Sequence, residues 1–141
     1  MSSAIRRAKA EDREPLADFA SASGVPADEI REQYEKFYIM ETEQGQWMAT
    51  VAIEQRGDNA MLRMLVINPT KCGMEEMVRF LHEILAVVQQ RNFRKLYLVT
   101  PSPEIFRPFG FSPVQDQQIP EPLQSGISES GEDTVPMARS F

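Results

Sequence analysis

The sequence has little of the chemistry that metal centres and disulfide frameworks require. It contains one cysteine, Cys72, and one histidine, His82. A single cysteine cannot form an intrachain disulfide, and this agrees with a reducing compartment. One thiol and one imidazole are also too few for a zinc site, which is normally built from several such ligands. We therefore expect no metal and no disulfide.

Long apolar runs and an excess of positive charge are also missing. The apolar runs are far shorter than the ~20 residues that span a bilayer, and residues 1–14 are polar and charged, without an apolar signal core. The formal net charge of −6 disfavours nonspecific attraction to nucleic acids and anionic membranes. The sequence thus predicts a cytoplasmic protein with no nucleic-acid partner and no membrane partner.

The chain does have enough apolar side chains for one hydrophobic core. Its 141 residues are 42% hydrophobic, which is typical of a globular domain of ordinary size. We predict a single domain over residues 1–141. Residues 117–133 are polar and contain Pro and Gly, so we predict a long surface loop there.

Hydrophobic patterning and turn residues predict a mixed order of strands and helices. A short strand over residues 4–8 comes first, followed by two helices, of which Gly24 ends the first. Turns at Gly45 and Gly57 then separate three strands of an antiparallel meander. After a long helix, the pattern predicts a strand over 95–100, a short helix, and strands over 111–115 and 134–141.

The long helix has the clearest pattern in the chain. Apolar residues recur at steps of three and four, which is the period of one helix face. His82 lies off this stripe and is predicted to face solvent. We predict that the stripe packs into the core, with the members Met74, Met77, Val78, Leu81, Ile84, Leu85 and Val88.

Three local patterns stand in a recognisable order along the chain. The run "LVINP" ends the third meander strand, "RNFRKLYLVT" follows the long helix, and "IFRPFGF" comes after that. These resemble the V-x-P, the G-x-x-x-L-x-L and the F-Y-x-x-x-G-F patterns of the GNAT superfamily of N-acetyltransferases. The likeness covers nearly the whole chain. It implies an α/β (α+β) GNAT-like acyl-CoA N-acyltransferase fold, with a mixed, mostly antiparallel sheet flanked by helices.

The resemblance also implies where acetyl-CoA would bind. In the family, the strand before the long helix lines the pantetheine arm, and N–H groups of a glycine-rich loop and the helix start bind the pyrophosphate. Carried over, these positions are Leu65, Val66 and Ile67 on the strand, and Lys71 and Gly73 in the loop. The resemblance further implies that strands 64–68 and 95–100 are parallel neighbours.

The loop departs from the family pattern at several positions. Gly73 is kept, but Cys72 replaces an Arg or Gln, and Glu75 and Met77 replace two glycines. Like charges about 4 Å apart at an effective dielectric near 20 repel by roughly 4 kcal/mol at most, and Lys71 would offset only part of this. We predict that acetyl-CoA binding is weak, altered or lost, and that Glu75 and Met77 block it.

The catalytic side departs from the family as well. The family's tyrosine, which can protonate the leaving thiolate, falls on Phe106, and phenylalanine has no proton to donate. The family's general base is often a glutamate on the meander, and Glu41, Glu43 and Glu54 are candidates by position. Strand alternation would place Glu41 and Glu43 on one face, so these two are the predicted catalytic residues.

Three residues have a structural interpretation as well as a functional one. Gly73 is either the remnant of a phosphate loop or a turn before a helix. Cys72 is either a reactive thiol at a helix N-terminus or a small buried residue. Trp47 either lines a pocket or packs in the core.

Three functions are compatible with the sequence. The first is a GNAT-like protein with impaired acetyl-CoA binding and a regulatory or binding role. The second is an active acetyl-CoA-dependent N-acetyltransferase that acts on an unidentified small-molecule amine. The third is a noncatalytic domain that binds a protein partner. Because members of the family often dimerise, a homodimer is also among the expectations.

Overall fold

The computed structural model describes residues 4–21, 25–68, 70–100, 102–114 and 135–141. The predicted surface loop at 117–133 and the predicted helix end at Gly24 lie outside these residues. By its internal contacts the chain divides into two compact units. The first contains residues 1–53 and 64–83, and the second contains 54–63 and 84–141. The single domain stays a prediction.

Strands and helices follow the predicted order. Among the described residues, the strands are hydrogen-bonded in the order β1-β2-β3-β4-β5-β7-β6. The sheet is mixed and mostly antiparallel with flanking helices, which confirms the predicted fold class. The elements are β1 Ala4–Arg7, α1 Arg13–Ala20, α2 Ala27–Glu32, β2 Phe37–Glu41, β3 Trp47–Arg56, β4 Asn59–Ile67, α3 Met74–Gln90, β5 Lys95–Thr100, α4 Pro103–Phe106, β6 Ser112–Pro113 and β7 Val135–Ser140.

The first unit is built around two antiparallel strand pairs and the two N-terminal helices. β1 pairs with β2, and β2 pairs with β3. The helix α1 turns its apolar face inward, which follows from the spacing of Leu16, Ala17 and Ala20 along the helix. Trp47 and Tyr34 pack at the margin of the core. The buried core residues are Ala8, Leu16, Ala17, Ala20, Val25, Ile30, Phe37, Ile39 and Ala52.

One arginine ties β1, β2 and the turn before α1 together. The Arg6 guanidinium donates to both carboxylate oxygens of Asp12, at 2.7 and 3.0 Å, and to both of Glu41, at 2.9 and 3.1 Å. Asp12 also accepts the N–H of Lys9 at 2.7 Å. These bonds from Arg6 hold the pKa of Asp12 below its usual value, and the two carboxylates raise the pKa of Arg6. The guanidinium can serve two carboxylates because it carries five donors.

The second unit contains the parallel part of the sheet. Residues Asn59–Met61 of β4 pair in parallel with Lys95–Tyr97 of β5, and β7 lies antiparallel between β5 and β6. The predicted parallel relation of β4 and β5 is thus confirmed, and the described pairs lie at residues 59–61 of β4. The N–H of Arg94 donates to the Asp58 carbonyl at 2.7 Å, and this bond fixes the register at the start of β4.

The long helix α3 is only partly a core helix. Leu81, Ile84, Leu85 and Val88 are buried as predicted, and the exposed His82 also agrees with prediction. The beginning of the stripe was predicted wrongly, because Met74 is 67% exposed and Val78 is 37% exposed. Periodicity identifies the apolar face of a helix, but it does not show where along the helix the core ends. The start of α3 is therefore a surface feature.

Removing the shared cation should destabilise the first unit. We expect Arg6→Met to lower the free energy of unfolding by about 1–3 kcal/mol, because Asp12 and Glu41 lose their partner while staying partly buried. Arg31→Met is a matched control, since Arg31 also binds two carboxylates, Glu14 and Asp28, but both are exposed. Urea unfolding measures both variants. Equal losses would contradict a special role for Arg6.

The lowered pKa of Asp12 also predicts an acid-sensitive contribution to stability. The unfolded chain takes up the proton near the ordinary pKa of 3.8, and the folded chain does so only at lower pH. The contribution is therefore complete above the ordinary pKa and is lost as the pH falls through the folded value. In urea unfolding below about pH 4, the wild type should lose stability more steeply than Asp12→Asn. Superimposable pH curves would refute this.

Candidate functional site

The loop between β4 and α3 is closed by its own hydrogen bonds. The Asn68 carbonyl accepts the N–H groups of Lys71 at 3.1 Å and Cys72 at 2.8 Å. The side-chain oxygen of Asn68 accepts the N–H of Thr70 at 3.1 Å and its hydroxyl at 2.7 Å. Asparagine is suited to this role because its side chain can bond to the backbone two residues ahead. These three N–H groups therefore bind Asn68.

The next N–H group in the loop is bound by the helix itself. The Gly73 N–H donates to Oε1 of Glu76 at 2.8 Å. Gly73 directly precedes α3 and Glu76 is its third residue, so the contact is the glutamate half of a capping box. A Cβ at Gly73 would lie 3.0 Å from the same oxygen, so glycine gives the carboxylate room to approach. The carboxylate also suits the positive end of the helix dipole.

The predicted glutamate pair does not share a strand face. β2 ends at Glu41, and Glu43 lies in the exposed turn that follows. The turn forms because Thr42 exchanges bonds with Gln46: its N–H donates to the Gln46 carbonyl at 2.8 Å, and its hydroxyl oxygen accepts the Gln46 N–H at 3.1 Å. The strand-alternation argument for Glu43 was therefore wrong. The catalytic roles of both residues stay predictions.

Glu41 and Glu54, two of the candidate bases, each bind an arginine. Glu41 is held by Arg6 through both oxygens. Glu54 binds Arg63 at 2.9 Å, with side chains 9% and 7% exposed. Both carboxylates are thus held in position by a guanidinium.

Phe106 contributes no polar group to the second unit. Its ring is buried and meets Phe111 edge-to-face, with the ring centroids 6.0 Å apart. This contact is a packing interaction between two rings, and it requires no hydroxyl group. The structure thus gives Phe106 a place in the core.

A surface cavity of about 550 Å³ lies in the first unit and opens to solvent. Two half-buried aromatic rings form part of its wall: Phe19 meets Trp47 edge-to-face, with centroids 5.8 Å apart. Both interpretations of Trp47 therefore hold, since the residue packs against the core and lines a cavity. Lys71 was predicted only as a cofactor residue, and sequence reasoning missed the remaining members because α1, the β2–β3 turn and the loop after β4 are far apart in the chain. The lining residues are Pro15, Asp18, Phe19, Gln46, Trp47, Asn68 and Lys71.

Solved structures with similar architecture include several N-acetyltransferases. N-acetylglutamate synthase from Neisseria gonorrhoeae, complexed with coenzyme A and N-acetyl-glutamate, is 18% identical with a TM-score of 0.84, over 99% of this chain and 35% of that one. Rv2747 from Mycobacterium tuberculosis, in complex with coenzyme A, is 14% identical with a TM-score of 0.80, over 98% and 99% of the two chains. A GNAT-family acetyltransferase from Staphylococcus aureus is 14% identical with a TM-score of 0.76, over 99% of each chain. This chain has the GNAT fold.

Comparisons of the sequence with protein families and curated proteins found no match. The GNAT-fold chain spans about a third of the length of the gonococcal synthase.

Among the residues that the structure describes, no helix is long and apolar enough to cross a membrane. The same residues contain no group of three or more His, Cys, Asp or Glu side chains that could hold a metal ion.

The GNAT fold implies a pyrophosphate site at the start of α3, and in this chain the N–H groups of the loop before α3 are bonded within the chain. The N–H groups from Thr70 to Gly73 already bind Asn68 or Glu76. The carboxylate on the loop belongs to Glu76, whereas Glu75 is exposed. Glu75 and Met77 were predicted to block the ligand, but the carboxylate that binds the loop belongs to Glu76.

The remaining predicted cofactor residues are partly accessible. Leu65, Val66 and Ile67 are half-buried on β4, and Lys71 is exposed. In the described part of the chain Lys71 forms no ion pair. Their roles in holding a cofactor stay predictions.

Cys72 is a buried thiol. Its Sγ lies 3.8 Å from the Gly73 carbonyl, and burial, followed by the nearby Glu76 carboxylate, raises the pKa of the thiol. This confirms the interpretation as a small buried residue. A reactive thiol would need the pKa to be lowered.

Alkylation measures the state of Cys72 directly, because it is the single cysteine in the chain. We expect iodoacetamide to modify the folded protein at least about tenfold more slowly at pH 7.5 than the urea-unfolded chain, since the raised pKa and burial both reduce the accessible thiolate. Mass spectrometry over time gives both rates. Modification of the folded protein as fast as of the unfolded chain would contradict the buried thiol.

Proposed function

We propose that this GNAT-fold chain binds acetyl-CoA weakly or not at all and has a regulatory or binding role. The observation that carries the proposal is the 2.8 Å bond from the Gly73 N–H to Glu76. A carboxylate of the chain takes the donor that the fold elsewhere offers to an anion. We further propose a cytoplasmic protein, with neither nucleic acids nor membranes among its partners.

A pyrophosphate that used the Gly73 N–H would have to remove the Glu76 carboxylate first. A hydrogen bond to a charged group contributes about 1.5–3 kcal/mol, and the displaced carboxylate would remain near the ligand as a like charge. A loss of about 1.4–2.8 kcal/mol corresponds to about tenfold to a hundredfold in affinity.

The alternative is an active N-acetyltransferase that acts on an amine. It is supported by solved structures of the same fold that contain coenzyme A. It requires Glu76 to rotate away from Gly73 and a base to accept the proton of the amine. Glu41 and Glu43 are the candidate bases, and Glu41 is held in position by Arg6 through both carboxylate oxygens. A noncatalytic domain with a protein partner, and a homodimer, remain further proposals.

Calorimetric titration with coenzyme A tests the proposal. We expect no binding, or a dissociation constant above about 1 mM, for the wild type. Glu76→Gln should bind about tenfold to a hundredfold more tightly, because it removes the charge and weakens the cap while keeping the side-chain shape. Micromolar binding by the wild type would overturn the proposal in favour of the active enzyme.

Glu75→Gln is the matched control. It removes the same charge from the same turn of α3, but Glu75 is exposed and the bond to Gly73 belongs to Glu76. A gain confined to Glu76→Gln identifies the capping bond as the obstacle. An equal gain in affinity in both variants would show that removing either negative charge has the same effect, without a special role for the capping bond. No gain in affinity in either variant would refute the proposal that the Glu76 carboxylate blocks the site.

A further inference from the structure

We propose that one end of the second unit binds an acidic segment of a protein partner that carries a large apolar side chain beside its carboxylates. The surface consists of Arg94, Lys95, Arg139 and Phe141, which we call the basic patch. The inference rests on the binding role proposed above, and it adds a surface and a kind of partner to that role.

Charge is divided unevenly between the two units. Among the described residues, the first unit has eight lysines and arginines against thirteen aspartates and glutamates, and the second has seven against three. The second unit is therefore basic in its described part, although the whole chain has a formal net charge of −6. A local excess of positive charge attracts groups of the opposite sign.

Backbone pairing at the end of the sheet brings the basic patch together. β5 begins at Lys95, which pairs with Ser140 at the end of β7. Next to this pair, the N–H of Phe141 donates to the carbonyl of Arg94 at 2.9 Å. The guanidinium carbon of Arg139 lies 4.9 Å from the centre of the Phe141 ring. Two segments that are far apart in the chain thus form one surface.

The charges of Arg94 and Lys95 are only weakly compensated. The Arg94 side chain is 81% exposed, and 3.9 Å separates it from the Asp58 carboxylate, which is longer than a hydrogen bond. Lys95 is exposed and forms no salt bridge within the described part of the chain. A carboxylate of a partner can therefore bind here without breaking a close ion pair.

Arg139 is held in position before a partner arrives. It is half-buried, and its Nη1 donates to the Phe109 carbonyl at 2.9 Å. Gly110 leaves room for its side chain, since a Cβ there would lie 3.3 Å from Cδ of Arg139. A guanidinium has five donors and can bind both oxygens of a carboxylate. Because Arg139 is already fixed, it loses little conformational freedom when it binds one.

Phe141 specifies the apolar part of the partner. Its side chain is 39% exposed, although it is a large apolar residue. A leucine beside the carboxylates of a partner would cover the ring and remove apolar surface from water. Nucleic acids and anionic membranes are extended polyanions, which the net charge of −6 disfavours. An acidic protein segment therefore fits both the cations and the ring.

Fluorescence anisotropy with a short labelled peptide of glutamate and leucine tests the proposal. We expect saturable binding with a dissociation constant below about 1 mM at about 0.1 M salt, where the screening length of ~10 Å limits repulsion from distant charges of the chain. The same peptide with glutamine in place of glutamate should bind at least about tenfold more weakly. No saturable binding, or equal binding of both peptides, would overturn the proposal. Tighter binding of a labelled oligothymidylate of equal charge would overturn the assignment to a protein partner.

Variants assign the contacts of the basic patch. Lys95→Met should weaken binding of the acidic peptide about twofold to fivefold, whereas Lys9→Met, which removes an exposed lysine of the first unit, should not. Arg139→Lys keeps the charge but loses the planar fork, so we expect binding at least about threefold weaker. Unchanged thermal unfolding would show that these variants fold. Equal affinities of the Lys95 and Lys9 variants would refute the assigned surface.

The apolar contact has a test of its own. A peptide with glycine in place of leucine should bind the wild type at least about threefold more weakly, and Phe141→Ala should abolish this difference. A difference that survives in Phe141→Ala would refute the contact with the ring. These titrations contain no coenzyme A, and Glu76→Gln should bind the acidic peptide as the wild type does. The basic patch and the blocked coenzyme A site can therefore fail independently.

Discussion

The start of α3 is governed by the need of a helix to satisfy the N–H groups that its first turn leaves without intrahelical acceptors. An external anion can supply the acceptor, and so can a side chain of the helix. Here Glu76 supplies it for Gly73. A Cβ at Gly73 would lie 3.0 Å from the same carboxylate oxygen, so glycine lets the carboxylate approach without a shift of its side chain.

Carboxylates elsewhere in the chain obey a related constraint. A partly buried carboxylate needs a cation or several donors, because removal from water disfavours its charge. Arg6 provides this for Asp12 and Glu41, and Arg63 provides it for Glu54. Pairing of this kind satisfies the carboxylate oxygens with guanidinium donors and fixes the side chains in position. For Asp12, the bonds from Arg6 also lower the pKa of the carboxyl group.

Much of the fold could be predicted from the sequence because apolar periodicity and turn residues act locally. Gly45, Gly57 and Gly110 have positive φ at the turns where the chain needs it. The exposed start of α3 could not be predicted, since the periodicity of Met74 and Val78 is the same as that of the buried residues after them. The end of β2 at Glu41 was missed because the Thr42 turn contacts depend on three-dimensional geometry.

The candidate site was predictable in place but not in detail. The family resemblance identified the β4–α3 loop as the candidate site. The sequence places Glu75 and Glu76 next to each other, and it does not show which of the two side chains binds the Gly73 N–H. Helix geometry decides this, because the third residue of the helix can reach back to the cap, as Glu76 does. The fold itself depends on strands, turns and an apolar core, none of which needs an open anion site. A GNAT fold can therefore persist while its loop binds its own side chain, and the fold alone is a weak argument for acetyl transfer.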